Sequence, residues 1–342
     1  MTRRSLLFLP GIAGTAGCLR SRRPRLNVFN WSSYVAPDTI PNFEREFHVD
    51  VRYAVYESNE EMLARVMTGN SGWDVVFPTN YYIRPMREYG LLAELDHERL
   101  GNLDNLDPLF RRPEWDPDLR WCVPYMWNAT GIVANRIAAP LPRRWADLWE
   151  TRWQGKITML DDPVDVFGAC LKKLGHSINS ENPDELRAAQ REAIAQKRLL
   201  RAYLNAEVRD QLVAGDVWAA QLWSTTAQQA IDAAPSLGFV YPEEGFAVYP
   251  DNAVILRESR HAAAAHDFLN YLLRPRVAAD IVVAARTATA NGAARAILPA
   301  AIHDNETLYP SPRTMARGEW SRTTSAAIQR LRDRLWTEVK SS

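Results

Sequence analysis

Apolar and polar positions along this chain alternate between strand-like and helix-like spacing. Leu26 to Trp31 is a short apolar strand, and Val51 to Tyr56 alternates as a second one. Between them, Asp38 to Phe47 carries a helical pattern interrupted early by Pro41. Ser58-Asn59-Glu60-Glu61 reads as a capping box, with Met62, Leu63, Val66 and Met67 on one helical face and Gly69 as the stop. Asp74 to Phe77 is a further strand ended by Pro78. Strand, helix, strand is the rhythm of a parallel α/β sheet. Leu100 to Asp118, rich in Asn, Asp and Pro, reads as a surface excursion.

A second unit opens near Trp127. Strands are predicted at Ala129 to Ala134, Lys156 to Leu160, Val217 to Trp223, Leu237 to Tyr241 and Asp251 to Leu256. Helices are predicted at Arg144 to Thr151, Asp165 to Leu174, Pro183 to Gln196, His261 to Leu273 (ending near Pro275) and Ala326 to Val339. With 342 residues, the chain exceeds a single core. The expected architecture is α/β in two lobes, each a mixed sheet flanked by helices. Residues 26–128 with 251–295 form one lobe, and 129–250 with 296–342 form the other.

Charge changes the picture by what it excludes. Lys plus Arg and Asp plus Glu both total 41, so no net charge points to nucleic acid or to a membrane surface. The three cysteines have no metal-ligand spacing, and Cys122 and Cys170 read as buried thiols. Residues 1–17 read as a signal peptide: Arg3 and Arg4 precede an apolar run too short to span a bilayer. Thr15-Ala16-Gly17-Cys18 resembles a lipoprotein processing box, which makes Cys18 a candidate lipid anchor, and residues 18–25 then form a basic tether.

Candidate chemistry gathers where the predicted strands end. Trp31, Ser32 and Tyr34 follow the first strand, and Thr79 and Tyr81 follow Pro78. Ligands of open α/β sheets sit beyond the carboxyl ends of strands. These aromatics fit either a core cap or an aromatic-walled pocket for a flat or cationic molecule. Asp161-Asp162-Pro163-Val164-Asp165 follows another strand. Asp162 before Pro163 suits a helix N-cap, and the same carboxylates can hold an ammonium group. Trp223 ends a strand, and Tyr249-Pro250-Asp251 sets a ring beside an acid. Together these describe a wall of rings with acids near it, suited to an aliphatic chain bearing separated ammonium groups. No phosphate-binding loop, nucleophile elbow or zinc-protease motif occurs, so neither an enzyme nor a cofactor is expected.

Taken in order, the segments FNWSSYVAP, YESNEEM, DVVFPTNYYIRPM, NLDPLF, RWADLW…WQGKI, DDPVDVF, QLWS and TLYP…GEW resemble the spermidine/putrescine-binding proteins of bacterial polyamine ABC importers. The resemblance runs from about Leu26 to Trp336. It implies a two-lobed periplasmic binding protein, a monomer, that holds a polyamine or related cation in its cleft and delivers it to the transmembrane subunits of an ABC permease. By the same resemblance, Trp31, Ser32, Tyr34, Thr79, Tyr81 and Trp223 match family wall residues. Asp162 matches a terminal-amine carboxylate, Asp251 matches the acid for an inner or distal amine, and Tyr249 stands in for a Trp. The chain departs from the pattern at three further places. Asp165 replaces a Glu and is expected to reach its amine through water. Thr287 and Ser321 replace a Tyr and a Gln, which is expected to open that end of the cleft. Putrescine, spermidine, another cationic solute or an amino-acid derivative all remain open as ligands, as does a ligand-sensing role.

Overall fold

The structure is a computed structural model that describes residues 23–342. The expected signal peptide, Cys18 and most of the tether lie outside the described residues. Arg25, assigned to the tether by the sequence pattern, already belongs to the first strand and pairs with Asp50.

The eleven strands are β1 (Arg25–Trp31), β2 (Asp50–Tyr56), β3 (Val75–Val76), β4 (Val123–Asn135), β5 (Ile157–Met159), β6 (Leu200–Tyr203), β7 (Ala219–Trp223), β8 (Leu237–Val240), β9 (Phe246–Ile255), β10 (Ala288–Thr289) and β11 (Gly318–Trp320). Their main order is β2-β1-β3-β9-β4-β7-β5-β6. β1 runs parallel to β2 and β3, and β7, β5 and β6 are mutually parallel. β4 and β9 are antiparallel to each other and join these two parallel blocks. The first half of β4 pairs with β9, while its second half pairs with β7 and β8. Both strands are buried along nearly their whole length, as strands covered on both faces must be.

Two large cores flank these crossing strands. Leu26, Val28, Phe43, Val75, Phe77, Phe268 and Leu269 lie in one, and Trp145, Trp153, Ile157, Phe167, Leu186 and Leu335 in the other. Phe246 and Val248, together with Leu298, Ile302, Leu308 and Tyr309, lie in the first core, although the sequence pattern assigns them to the second lobe. The reason is that β9 starts earlier than predicted, and the chain after β10 stays against β4, with the Tyr309 ring edge-on to Trp127 at 6.1 Å. Only the last helix, Ala326–Ser341, returns to the second core, through Ile328, Leu331, Leu335 and Val339.

Several local expectations change. The predicted helix at Arg144 to Thr151 is a pair of 3-10 turns, Trp145–Trp149 and Thr151–Trp153. Tertiary bonds override helical propensity there: Glu244 accepts from the backbone amides of Trp145 and Ala146, and the Trp145 indole donates to the Gly245 carbonyl at 2.8 Å. The stretch from Leu100 to Asp118 is not a mere excursion, because Leu100, Leu106 and Phe110 are buried in the first core. Pro275 ends one helix and begins the next, Pro275–Ala285, at its first position. Met67, predicted on a buried face, is 53% exposed. Among the described residues no helix is long and apolar enough to cross a membrane.

Candidate functional site

The sheet topology brings four strand ends to one place. Trp31 closes β1, Thr79 follows β3, Asp162 follows β5 and Trp223 closes β7. β9 crosses beneath them and presents Tyr249 and Asp251, two positions apart and therefore on one face of the strand. The resulting cavity of about 90 Å³ is lined by Trp31, Tyr34, Asn59, Thr79, Tyr81, Asn128, Asp162, Asp165, Trp223, Thr225, Thr226, Tyr249 and Asp251. The lining holds three carboxylates and no Lys, Arg or His.

Asp251 lies at one end, buried, and accepts only from hydroxyls. Thr79 Oγ1 donates to Oδ1 at 2.7 Å and Tyr34 Oη donates to Oδ2 at 3.0 Å. Each hydroxyl is aimed by an amide: Asn59 Nδ2 donates to Thr79 Oγ1 at 3.0 Å, and Asn128 Nδ2 to Tyr34 Oη at 3.2 Å. Because the amide occupies the acceptor side of each hydroxyl, the single hydroxyl proton is committed to the carboxylate. Asn59 is itself held in place, its Oδ1 accepting from the Thr79 backbone at 3.1 Å. The Ser58 cap predicted from sequence supports it, with Ser58 Oγ accepting from Glu61 N at 3.1 Å. Burial pushes the Asp251 carboxyl up to about 7, against the opposing pull of the Thr79 and Tyr34 bonds.

The other end carries a pair of acids on the first turn of the helix Pro163–Lys173. Asp162 is its N-cap: Oδ1 accepts from Val164 N at 2.7 Å and Asp165 N at 3.2 Å. Asp165 is tied to three side chains. Oδ1 accepts from Thr130 and from Tyr249 Oη at 2.8 Å, and Oδ2 accepts from Trp223 Nε1 at 2.9 Å. Burial raises both carboxyls; Asp162 is raised further by Asp165 and by Glu60, whereas the three donors on Asp165 oppose its rise. Burial likewise pushes the Tyr34, Tyr81 and Tyr249 phenols far up, so all three stay protonated. The Tyr81 and Tyr249 rings meet edge-on at 6.2 Å across the cleft, and Trp31 packs on Tyr56 at 4.7 Å while donating to the Phe77 carbonyl at 2.8 Å.

Of the residues singled out in the sequence, Trp31, Tyr34, Thr79, Tyr81, Asp162, Asp165, Trp223, Tyr249 and Asp251 meet in this one lining. Ser32 does not: it is exposed in the turn after β1. Thr287 lies behind the wall, fully buried, accepting from Thr225 Oγ1 at 2.9 Å. Ser321 lies outside the cavity and pairs with Asn80, its Oγ donating at 2.7 Å. Thr225 and Thr226, not Thr287 or Ser321, are part of the lining. Asn59, Asn128, Thr225 and Thr226 were not foreseen. Asn59 is hidden inside a capping box, and Asn128 has no local signal because its partner Tyr34 is far away in the chain. Thr225 and Thr226 lie two and three positions after Trp223, and a helix-start reading of that segment would have found them. Cys122 and Cys170 are free and buried. Among the described residues no group of three His, Cys, Asp or Glu is placed to hold a metal ion.

Comparison with known proteins gives this geometry its context. The spermidine/putrescine-binding periplasmic protein of Escherichia coli is 34% identical over 306 residues, 88% of each chain. The putrescine/cadaverine-binding protein of Pseudomonas aeruginosa is 30% identical over 354 residues, 99% of each. A solved structure described as a putative spermidine/putrescine ABC transporter from Listeria monocytogenes matches with a TM-score of 0.89 at 29% identity, covering 92% of this chain and 98% of that one. The family profile for bacterial extracellular solute-binding proteins matches residues 72–311, and the chain belongs to that family.

Proposed function

We propose that this protein is the substrate-binding component of a polyamine ABC importer, working in the periplasm and handing its ligand to membrane permease subunits. The observation that carries the reading is a cavity with carboxylates at both ends, rings between them and no basic side chain in its lining. Such a cavity is costly when empty, because buried carboxylates want a countercharge. A linear ammonium-bearing ligand supplies that countercharge at each end and lays its methylenes against Trp31, Tyr81, Trp223 and Tyr249. The E. coli, P. aeruginosa and Listeria relatives named for polyamines support the same reading.

The mechanism follows from the crossing strands. Asp251, Thr79, Tyr34 and Tyr81 belong to the β1–β3–β9 side, and Asp162, Asp165 and Trp223 to the β5–β7 side. β4, β9 and the segment after β11 act as the hinge. A ligand that touches both sides shifts the equilibrium toward the closed form, which the permease reads. Each charge-assisted bond contributes ~1.5–3 kcal/mol, and each cation–π contact ~0.5–2 kcal/mol. A few of them, less ordering costs, reach the ~8 kcal/mol of micromolar binding. The protein binds its ligand without transforming it, acts as a monomer, takes no nucleic acid, and is tethered through Cys18 once residues 1–17 are removed.

Isothermal titration with putrescine, cadaverine and spermidine, beside lysine and γ-aminobutyrate as carboxylate-bearing controls, tests the reading. Micromolar or tighter binding of at least one polyamine, with the amino acids much weaker, is expected. Binding confined to a carboxylate-bearing ligand would sink it, since the lining offers such a group no cation.

A further inference from the structure

The helix Ser224–Ala233 starts in the cavity wall, where Trp223 caps it and Thr225 lines the cavity. Thr225, Gln228, Gln229 and Asp232 have the spacing of a single helical face. All four bond to one stretch of the chain, residues 285–305. Thr225 Oγ1 donates to Thr287 Oγ1 at 2.9 Å, and Gln229 Nε2 donates to the Ala285 carbonyl at 2.8 Å. Gln228 Oε1 accepts from Asn305 Nδ2 at 3.0 Å, and Asp232 Oδ2 accepts from Arg286 Nε at 2.6 Å. Gln228 Nε2 also donates to Asp232 Oδ1 at 2.7 Å, which ties the middle of the stripe to its end. Apart from Thr225, none of these groups lines the cavity.

The stripe joins two separately packed bodies. Ala227 and Ala230 of this helix pack with Leu222 and Leu237, whereas Ala285, Ala288 and Ile302 belong to the first core. β4 carries both sides: Trp127 pairs with Ala288, and Thr130 pairs with Trp223. Thr225 and Thr287 therefore meet beside β4, and Asp232 lies about 10 Å further along the helix. Exposure rises in the same direction. Thr225 and Gln228 are 7% and 6% exposed, but the Asp232 and Arg286 side chains are 40% and 34% exposed. A rotation of the lobes about β4 parts the outer end most. The groups along the stripe are polar, so each bond lost on parting is exchanged for one to water at small net cost. A contact of that kind can open and reform, which an apolar core cannot do cheaply.

We infer that this helix face is the closing seam of the molecule: it docks on residues 285–305 when ligand holds the lobes together, so Gln228, Gln229 and Asp232 set affinity without touching the ligand. This inference rests on the closure mechanism proposed above and assigns contacts that closure makes. The cavity wall at Trp223 and Thr225 and the outer seam at Asp232 are two ends of one helix. Apparent affinity scales with the population of the binding-competent form, so each seam bond that favours closure tightens binding.

Two measurements on the full chain test it. Gln228→Cys places a thiol in the buried middle of the seam, and its labelling by a maleimide is followed by peptide mass. Labelling should be about tenfold faster without putrescine than at saturation, because opening of the seam limits the reaction. A rate that putrescine leaves unchanged overturns the inference. So does labelling of the empty protein as slow as that of the buried Cys170. In the second measurement, Gln229→Ala combined with Asp232→Ala should weaken putrescine binding about tenfold, mainly through faster dissociation. The melting temperature of the empty protein should stay that of the unaltered chain. The reverse pattern, a lower melting temperature with unchanged affinity, marks a permanent packing contact and overturns the inference. If the paired variant does not fold, the labelling rates decide. If the unaltered protein binds no amine, the polyamine reading falls, and labelling of the empty protein against Cys170 still decides the seam.

Discussion

The two ends of the cavity use the same side chain in opposite ways. At one end, Asp251 is supported by two hydroxyls whose protons are steered by Asn59 and Asn128, and it keeps acceptor capacity on both oxygens. At the other, Asp165 already accepts from an indole, a phenol and a threonine, and Asp162 shares its acceptor capacity with a helix terminus. One end is built to receive a charge. The other divides the work, with one acid facing the ligand and its neighbour holding the walls. Residue type alone does not assign function here; the number of lone pairs left over does.

The sharpest way to break that contrast is Asp251→Ala. It removes the whole charged seat at its end, and titration with putrescine should show a loss of about 100-fold, in line with ~1.5–3 kcal/mol per charge-assisted bond. Asp161→Ala is the control: this side chain pairs with Lys340 at 2.7 Å at the surface, and affinity should stay within about twofold. Equal losses in the two variants would refute the placement of Asp251 as a ligand seat.

Acidity should act on the same end. The Asp251 carboxyl in the empty protein sits at about 7, well above the ordinary carboxylate value, because of burial. The empty form thus gains stability from a protonated Asp251 as pH falls through about 7 toward that ordinary value, and loses it as pH rises again. An ammonium ligand needs the ionised form, so the titration of Asp251 by itself should lower affinity by about tenfold at pH 6 relative to pH 8, with proton release on binding. Burial raises Asp162 in the same direction. The groups facing Asp251 are Thr79, Tyr34 and Tyr56, none of which titrates in that window, so a flat profile would mean that the seat is not Asp251.

A smaller effect is expected where the acid only positions a ring. Trp223→Phe keeps an apolar wall but removes the 2.9 Å indole bond to Asp165. Titration with putrescine should show a several-fold loss, about 0.5–1.5 kcal/mol for one hydrogen bond. A loss as large as that of Asp251→Ala would make Asp165 and Trp223 a direct seat rather than scaffolding. The smallest effect belongs to Ser32→Ala. Ser32 is exposed and outside the lining, so titration should find affinity within about twofold; a tenfold loss would show that the cavity extends past the turn after β1.

Much of this was legible before any coordinates. Pro163 after Asp162, and Ser58 three residues before Glu61, are local signals, and both caps form. The strand ends that carry Trp31, Thr79, Asp162 and Trp223 follow from hydrophobic runs broken by turn residues. What failed to read was what depends on distant partners. The Trp-rich segment after Arg144 turned into 3-10 turns because Glu244 and Gly245 capture its donors. Thr287 and Ser321 lie outside the cavity lining, bonded to Thr225 and Asn80.

The chain's sequence alone determined which chemistry gathers at the strand ends, because caps, turns and strand termini are set by residues within a few positions of one another. Only the tertiary structure decided which carboxylate oxygens stay free. Tyr34 and Asp251 are 217 positions apart, and whether a lone pair is filled depends on what folding brings within 3 Å of it.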